Sequence, residues 1–174
     1  YHFVSKTSRF SEEYKTKTQL IEERSNRNYL RKWGSRGSTK KYEIAYVVTK
    51  CNSNLLEVLE PWCSRIYIQD EMQVLITHYL DKEQRNTKFN LSKRILTTEH
   101  NNPVEENDIV VEFDGSKLTQ ESFNILTQLP EILAESGEVG EFELDIFKIT
   151  ICTLNRYENE LINLNTDYYI NQLL

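Results

Sequence analysis

The stretch whose reading decides the fold is residues 107–154, NDIVVEFDGSKLTQESFNILTQLPEILAESGEVGEFELDIFKITICTL. Ile109, Val111 and Phe113 alternate with Val110, Glu112 and Asp114, the period-two pattern of a strand with one buried face. Asp114-Gly115-Ser116 ends that strand as a turn. Thr119 stands where a helix N-cap belongs, Glu121 falls in the first turn, and Phe123, Leu126, Leu129 and Leu133 line one helical face. Pro130 lacks an N–H and its ring meets the carbonyl four residues back, so the pattern predicts a kink there, or a second helix opening at Pro130. Gly137 and Gly140 bracket the next turn. Residues 141–154 then read as one long strand, whose apolar face switches from Phe142, Leu144 and Ile146 to Phe147, Ile149 and Ile151; a bulge at residues 145–147, or a strand buried on both faces at its far end, would produce the switch. Two strands joined by a helix are expected to lie parallel in one sheet, and this unit is the expected core.

Upstream, residues 42–49 read as a strand with Tyr42, Ile44, Tyr46 and Val48 on one face. Asn52-Ser53-Asn54 caps a short helix through Leu55, Leu56, Val58 and Leu59, which Pro61 stops. Residues 65–69 and 72–80 read as two strands joined at Asp70-Glu71, although the second also fits a helix. The polar run 81–107 is expected to hold a short helix around residues 91–96, capped by Asn90, and then a mobile connection over residues 99–106. Beyond Leu154, Tyr157, Leu161, Leu164 and Tyr168 are spaced as an amphipathic helix. At the other end, Ser11 caps a helix with Glu12 and Glu13 in its first turn and a narrow apolar stripe of Tyr14 and Ile21, which Leu20 could join. If that helix continues, Arg24, Arg27 and Arg31 share one face. Residues 31–41 form a basic, Gly/Ser-containing linker and mark the best boundary in the chain.

Charge is divided sharply along the chain. Residues 1–41 carry eleven Lys/Arg against four Asp/Glu, whereas residues 42–174 carry ten against twenty-three. The expected organisation is therefore a basic helical arm and linker (1–41) on a single acidic α/β or α+β domain (42–174), with a mixed sheet of about five strands flanked by helices. At 174 residues the chain is long enough to bury a core without staples. No apolar run reaches the roughly 20 residues that cross a bilayer, and the first 30 residues hold no signal-peptide core. The chain opens on Tyr1 rather than Met, as a trimmed chain or an excised domain would. Cys51, Cys63 and Cys152 have no C-x-x-C spacing and read as reduced thiols, which places the protein in an intracellular compartment, cytoplasmic or nuclear.

No motif for catalysis, a cofactor or a metal stands out. Glu112 and Asp114 share one strand face and Glu141, Glu143 and Asp145 share another, so adjacent strands could gather carboxylates around Mg²⁺. The element order of residues 53–154 is similar to that of one restriction-type nuclease fold, which pairs an acid with an acid-x-Lys; here the nearest later lysine is Lys117, out of place. His78 has no ligand or nucleophile motif around it and reads as a half-buried structural residue. The glycines are too scattered to cradle a phosphate. The run Val110-Val111-Glu112-Phe113-Asp114-Gly115, followed by Thr119-Gln120-Glu121-Ser122-Phe123, resembles the strand-to-helix segment of STAS-like regulatory domains. That resemblance covers residues 110–123 alone and implies a non-catalytic regulatory or partner-binding module.

The basic arm is the strongest functional feature. Arg24, Arg27, Arg31, Lys32, Arg36, Lys40 and Lys41, with Tyr29 and Trp33 among them, combine cations for phosphates with aromatics for stacking on bases. The same residues would equally neutralise the acidic body or meet a protein partner. The leading expectation is a non-enzymatic protein-interaction or regulatory module in a larger intracellular assembly, without cofactor or metal. A nucleic-acid-binding protein using the arm, with help from Arg85, Lys88, Lys93 and Arg94, is the second reading, and a metal-dependent nuclease-like domain the third.

Overall fold

The computed structural model describes residues 12–33, 42–136 and 138–153. Its elements run α1 (Glu12–Trp33), β1 (Ile44–Thr49), α2 (Ser53–Leu59), β2 (Arg65–Ile68), α3 (Gln73–Glu83), β3 (Ile95–Thr97), α4 (Pro103–Glu106), β4 (Ile109–Asp114), α5 (Gln120–Ser136), β5 (Gly140–Leu144) and β6 (Phe147–Ile151). The strands form one six-stranded mixed sheet of order β3-β2-β1-β4-β6-β5. β3, β2, β1 and β4 are parallel neighbours, and the β5–β6 hairpin adds an antiparallel edge. This is an α/β fold, with one strand more than the periodicity suggests.

Local chemistry places several ends where the sequence puts them. Asn52 accepts from the Leu55 amide and opens α2, and Pro61 lies in the single 3₁₀ turn that follows it. Thr119 Oγ1 accepts from the Ser122 amide at 3.1 Å and caps α5. α5 continues through Pro130 as one helix. An interior proline costs about 3 kcal/mol. Leu126, Leu129 and Leu133 are each at most 2% exposed. At roughly 1.5–3 kcal/mol for each buried leucine, they outweigh that cost.

Three expectations are corrected and one alternative is decided. Residues 73–83 take the helical of their two readings, because the run spans a parallel crossover and buries Ile76, Tyr79 and Glu83 on one side. The expected helix at residues 91–96 is a 3₁₀ turn capped by Asn90, followed by the short strand β3. The connection over residues 99–106 contains α4, with Asn102 as its cap. Residues 141–154 are not one bulged strand: Asp145, at φ 56°, and Ile146 form a two-residue hairpin loop, which reverses the chain and swaps the apolar face. Consequently β5 runs in the same direction as β4, but β6 lies between them.

The main core fills one face of the sheet. Ile44, Tyr46 and Val48 of β1, Ile109, Val111 and Phe113 of β4 and Phe147, Ile149 and Ile151 of β6 meet Leu56, Leu59, Ile76, Tyr79 and the α5 leucines. The opposite face holds a smaller cluster of Ala45, Tyr67 and Val110, edged by Val47, Leu96 and Cys152. The expected C-terminal amphipathic helix, at residues 157–168, lies outside the described residues.

Candidate functional site

The basic residues of α1 divide by their place along the helix. Near its C-terminal end α1 turns Leu30 and Arg31 inward, at 8% and 2% exposure. Arg27 meets Glu83 of α3 as a two-pronged pair, Nε to Oε1 and Nη2 to Oε2, both at 3.0 Å. Arg31 Nε donates to both oxygens of Glu60 at 3.1 Å, and Nη2 donates to Glu60 Oε1 and, at 3.2 Å, to Glu83 Oε1. From the body side, Tyr79 Oη donates to Glu60 Oε1 at 3.1 Å and Arg94 Nε to Glu60 Oε2 at 3.0 Å. Three arginines thus converge on two carboxylates that are at most 1% exposed.

Such a network holds only while it is complete, because a buried charge without partners is strongly unfavourable. Among the described residues no buried side-chain N or O atom lacks a partner. Burial pushes the Glu83 carboxyl up, but hydrogen bonding and attraction from Arg27 and Arg31 outweigh it and hold the group below its ordinary value. For Arg31, burial pulls the guanidinium down and Glu60 beside it more than restores it, leaving it raised. Burial, with Glu60 adjacent, pushes the Tyr79 phenol up, so it remains a donor.

The other half of α1 faces solvent. Leu20 and Ile21 are 60% and 54% exposed, and Tyr29, on the outer side of the clamped turn, 47%. Beside them a groove of about 320 Å³ runs between α1 and the α2–α3 layer, lined by Leu20, Ile21, Arg24, Glu57 and Lys82. Arg24 and Lys32 are exposed, and Trp33 is the last residue of the helix. Arg36, Lys40 and Lys41 lie outside the described residues. Of the second basic group, Arg94 is engaged with Glu60 and with the Cys63 carbonyl, whereas Arg85, Lys88 and Lys93 are exposed.

The acids singled out for metal chemistry are dispersed. Glu112 and Glu143 stand in register on either side of Lys148, a cation in a cross-strand row. Asp114 accepts from the Ser116 amide at 2.9 Å and its hydroxyl at 2.6 Å, with Lys50 Nζ at 3.6 Å. These hydrogen bonds hold the Asp114 carboxyl below its ordinary range. Asp145 sits in the hairpin loop, where the Ser122 hydroxyl donates to it, and Glu141 is exposed on the edge strand. His78, expected to be half-buried, is exposed on α3, since the helix turns Ile76 and Tyr79 inward instead. Cys51 and Cys63 are buried, and burial pushes the Cys51 thiol up to about 11.

Glu60, Tyr79 and Glu83 form the body's half of the clamp and were not legible as such. Glu60 left one signal, as an acid within the apolar run LLEVLEPW of residues 55–62. No protein-family model matches the chain, and neither does any curated protein or solved structure.

Proposed function

We propose that this protein is a non-catalytic interaction module that receives a protein partner along the outward half of α1. The observation that carries the reading is the division of that helix into an anchored base and an exposed tip. Arg27 and Arg31 are committed to Glu83 and Glu60, while Leu20 and Ile21 stand in water beside a groove. Adjacent exposed Leu and Ile on an anchored helix suit helix-in-groove recognition, in which apolar anchors supply affinity and flanking charges supply register. Residues 12–26 carry Glu12, Glu13, Glu22 and Glu23 against Lys15, Lys17 and Arg24, so a phosphate backbone meets no surplus of positive charge there. Among the described residues no helix is long and apolar enough to cross a membrane.

The test is site-specific photo-crosslinking in native extract, with the reactive side chain at Ile21 and, as a control, at Val74, which is 82% exposed on α3. A discrete protein adduct from position 21 alone, abolished by Leu20→Asp, is the expected result. Equal labelling from both positions would contradict the reading. Salt-sensitive binding to nucleic acid, unaffected by Leu20→Asp, would instead move recognition to the basic residues.

A further inference from the structure

β2 and β3 are parallel neighbours, so the segments that follow them leave the sheet at the same edge. Asp70 begins the turn after β2, and Glu99-His100 follows β3. Backbone bonds tie the two segments together. The Thr98 amide donates to the Ile68 carbonyl at 3.1 Å, and the Glu99 amide to Asp70 Oδ1 at 3.4 Å. Asn101 Nδ2 braces the second segment on the Thr97 carbonyl at 2.9 Å. One donor atom each from Asp70, Glu99 and His100 then lies within 4.8 Å of the others. Metal–ligand bonds of about 2.0–2.2 Å require donors packed at this scale.

Two features separate this trio from an ordinary acidic patch. The donor set is mixed, with an imidazole facing two carboxylates and His100 Nε2 3.9 Å from Glu99 Oε2. The carboxylates also face each other although both are at the surface, and no Lys or Arg among the described residues forms an ion pair with either. A cation between the two carboxylates would relieve their mutual repulsion. The trio sits at the carboxyl ends of the parallel strands β2 and β3.

We propose that Asp70, Glu99 and His100 form a binding site for one divalent transition-metal ion, Zn²⁺ or Mn²⁺. The nitrogen donor favours these over Mg²⁺ and Ca²⁺, which prefer oxygen alone. Three protein ligands leave a coordination position for water, as in sites that exchange or activate a ligand.

The test is calorimetric titration of the full chain with ZnCl₂, alongside ¹⁵N NMR with substoichiometric Mn²⁺. One Zn²⁺ equivalent is expected, weakened about tenfold or more in both His100→Ala and Asp70→Asn. Mn²⁺ should broaden resonances of residues 69–71 and 98–101 first. Both side chains are at the surface, so unchanged circular dichroism and melting in the variants separate ligand loss from unfolding. Absence of Zn²⁺ binding tighter than about 1 mM, equal affinity in wild type and variants, or broadening centred on His78 would each overturn the proposal.

Discussion

Replacing Arg31 by methionine keeps an unbranched apolar stem and removes the guanidinium at the centre of the clamp. Glu60 would lose the Arg31 bonds and keep Tyr79 Oη at 3.1 Å and Arg94 Nε at 3.0 Å; Glu83 would keep both prongs of Arg27. Removing one partner of a buried ion pair typically costs about 3–5 kcal/mol. The surviving donors place this change near the lower end, about 3 kcal/mol. For a chain of this size that is a fall in Tm of about 6–12 °C. Urea unfolding followed by circular dichroism measures the change. The double variant Arg31→Met, Glu60→Gln should lose less than the sum of the singles, by about 1–3 kcal/mol, because the uncompensated carboxylate disappears with its partner. A loss below about 1 kcal/mol for Arg31→Met, the value of a solvent-exposed pair, would refute the argument that α1 is anchored by a buried network.

Acid should loosen the same contact. The Glu83 carboxyl is lowered in the folded chain, so its contribution is present above the unfolded glutamate value of about 4.3 and is lost as pH falls through the lower folded value. A pH series of urea midpoints should therefore fall in that window, and less steeply for Glu83→Gln. Gly115→Ala should destabilise by about 1–3 kcal/mol, since a Cβ there would stand 2.6 Å from Leu55 Cδ2 and 3.0 Å from the Thr49 carbonyl oxygen; an unchanged Tm would contradict the close approach of that turn to β1. Of the three thiols, Cys152 is partly exposed while Cys51 and Cys63 are buried, so a disulfide reagent at pH 8 should modify Cys152 first and Cys51 only on unfolding.

The sheet was legible where a short run rich in β-branched and aromatic residues is bounded by turn residues. Residues 109–114 and 44–48 are such runs, and both strands lie where the sequence puts them, although Ala45 and Val110 are buried on the second face as well. Segments without that pattern were ambiguous. Residues 73–83 mix apolar and polar side chains closely enough to fit two periods, and the three-residue β3 is too short to show one. The hairpin at Asp145-Ile146 was missed because neither residue is Gly or Asn, so the turn carried no residue that favours positive φ strongly. For the candidate site, the sequence shows the excess of basic residues but not their direction. That Arg27 and Arg31 face inward depends on Glu83 and Glu60, 56 and 29 residues away. The approach of Asp70 to Glu99 and His100 likewise follows from the pairing of β2 with β3, which no local pattern reports.

Hydrogen exchange along α1 in the 174-residue chain tests the central claim most directly. An anchored base with an exposed tip predicts that amides of residues 28–32 exchange as slowly as those of β1, while amides of residues 14–24 exchange orders of magnitude faster. Uniformly fast exchange over the whole helix would mean that Arg27 and Arg31 do not hold it to the body, and the division of α1 on which the functional reading rests would fall.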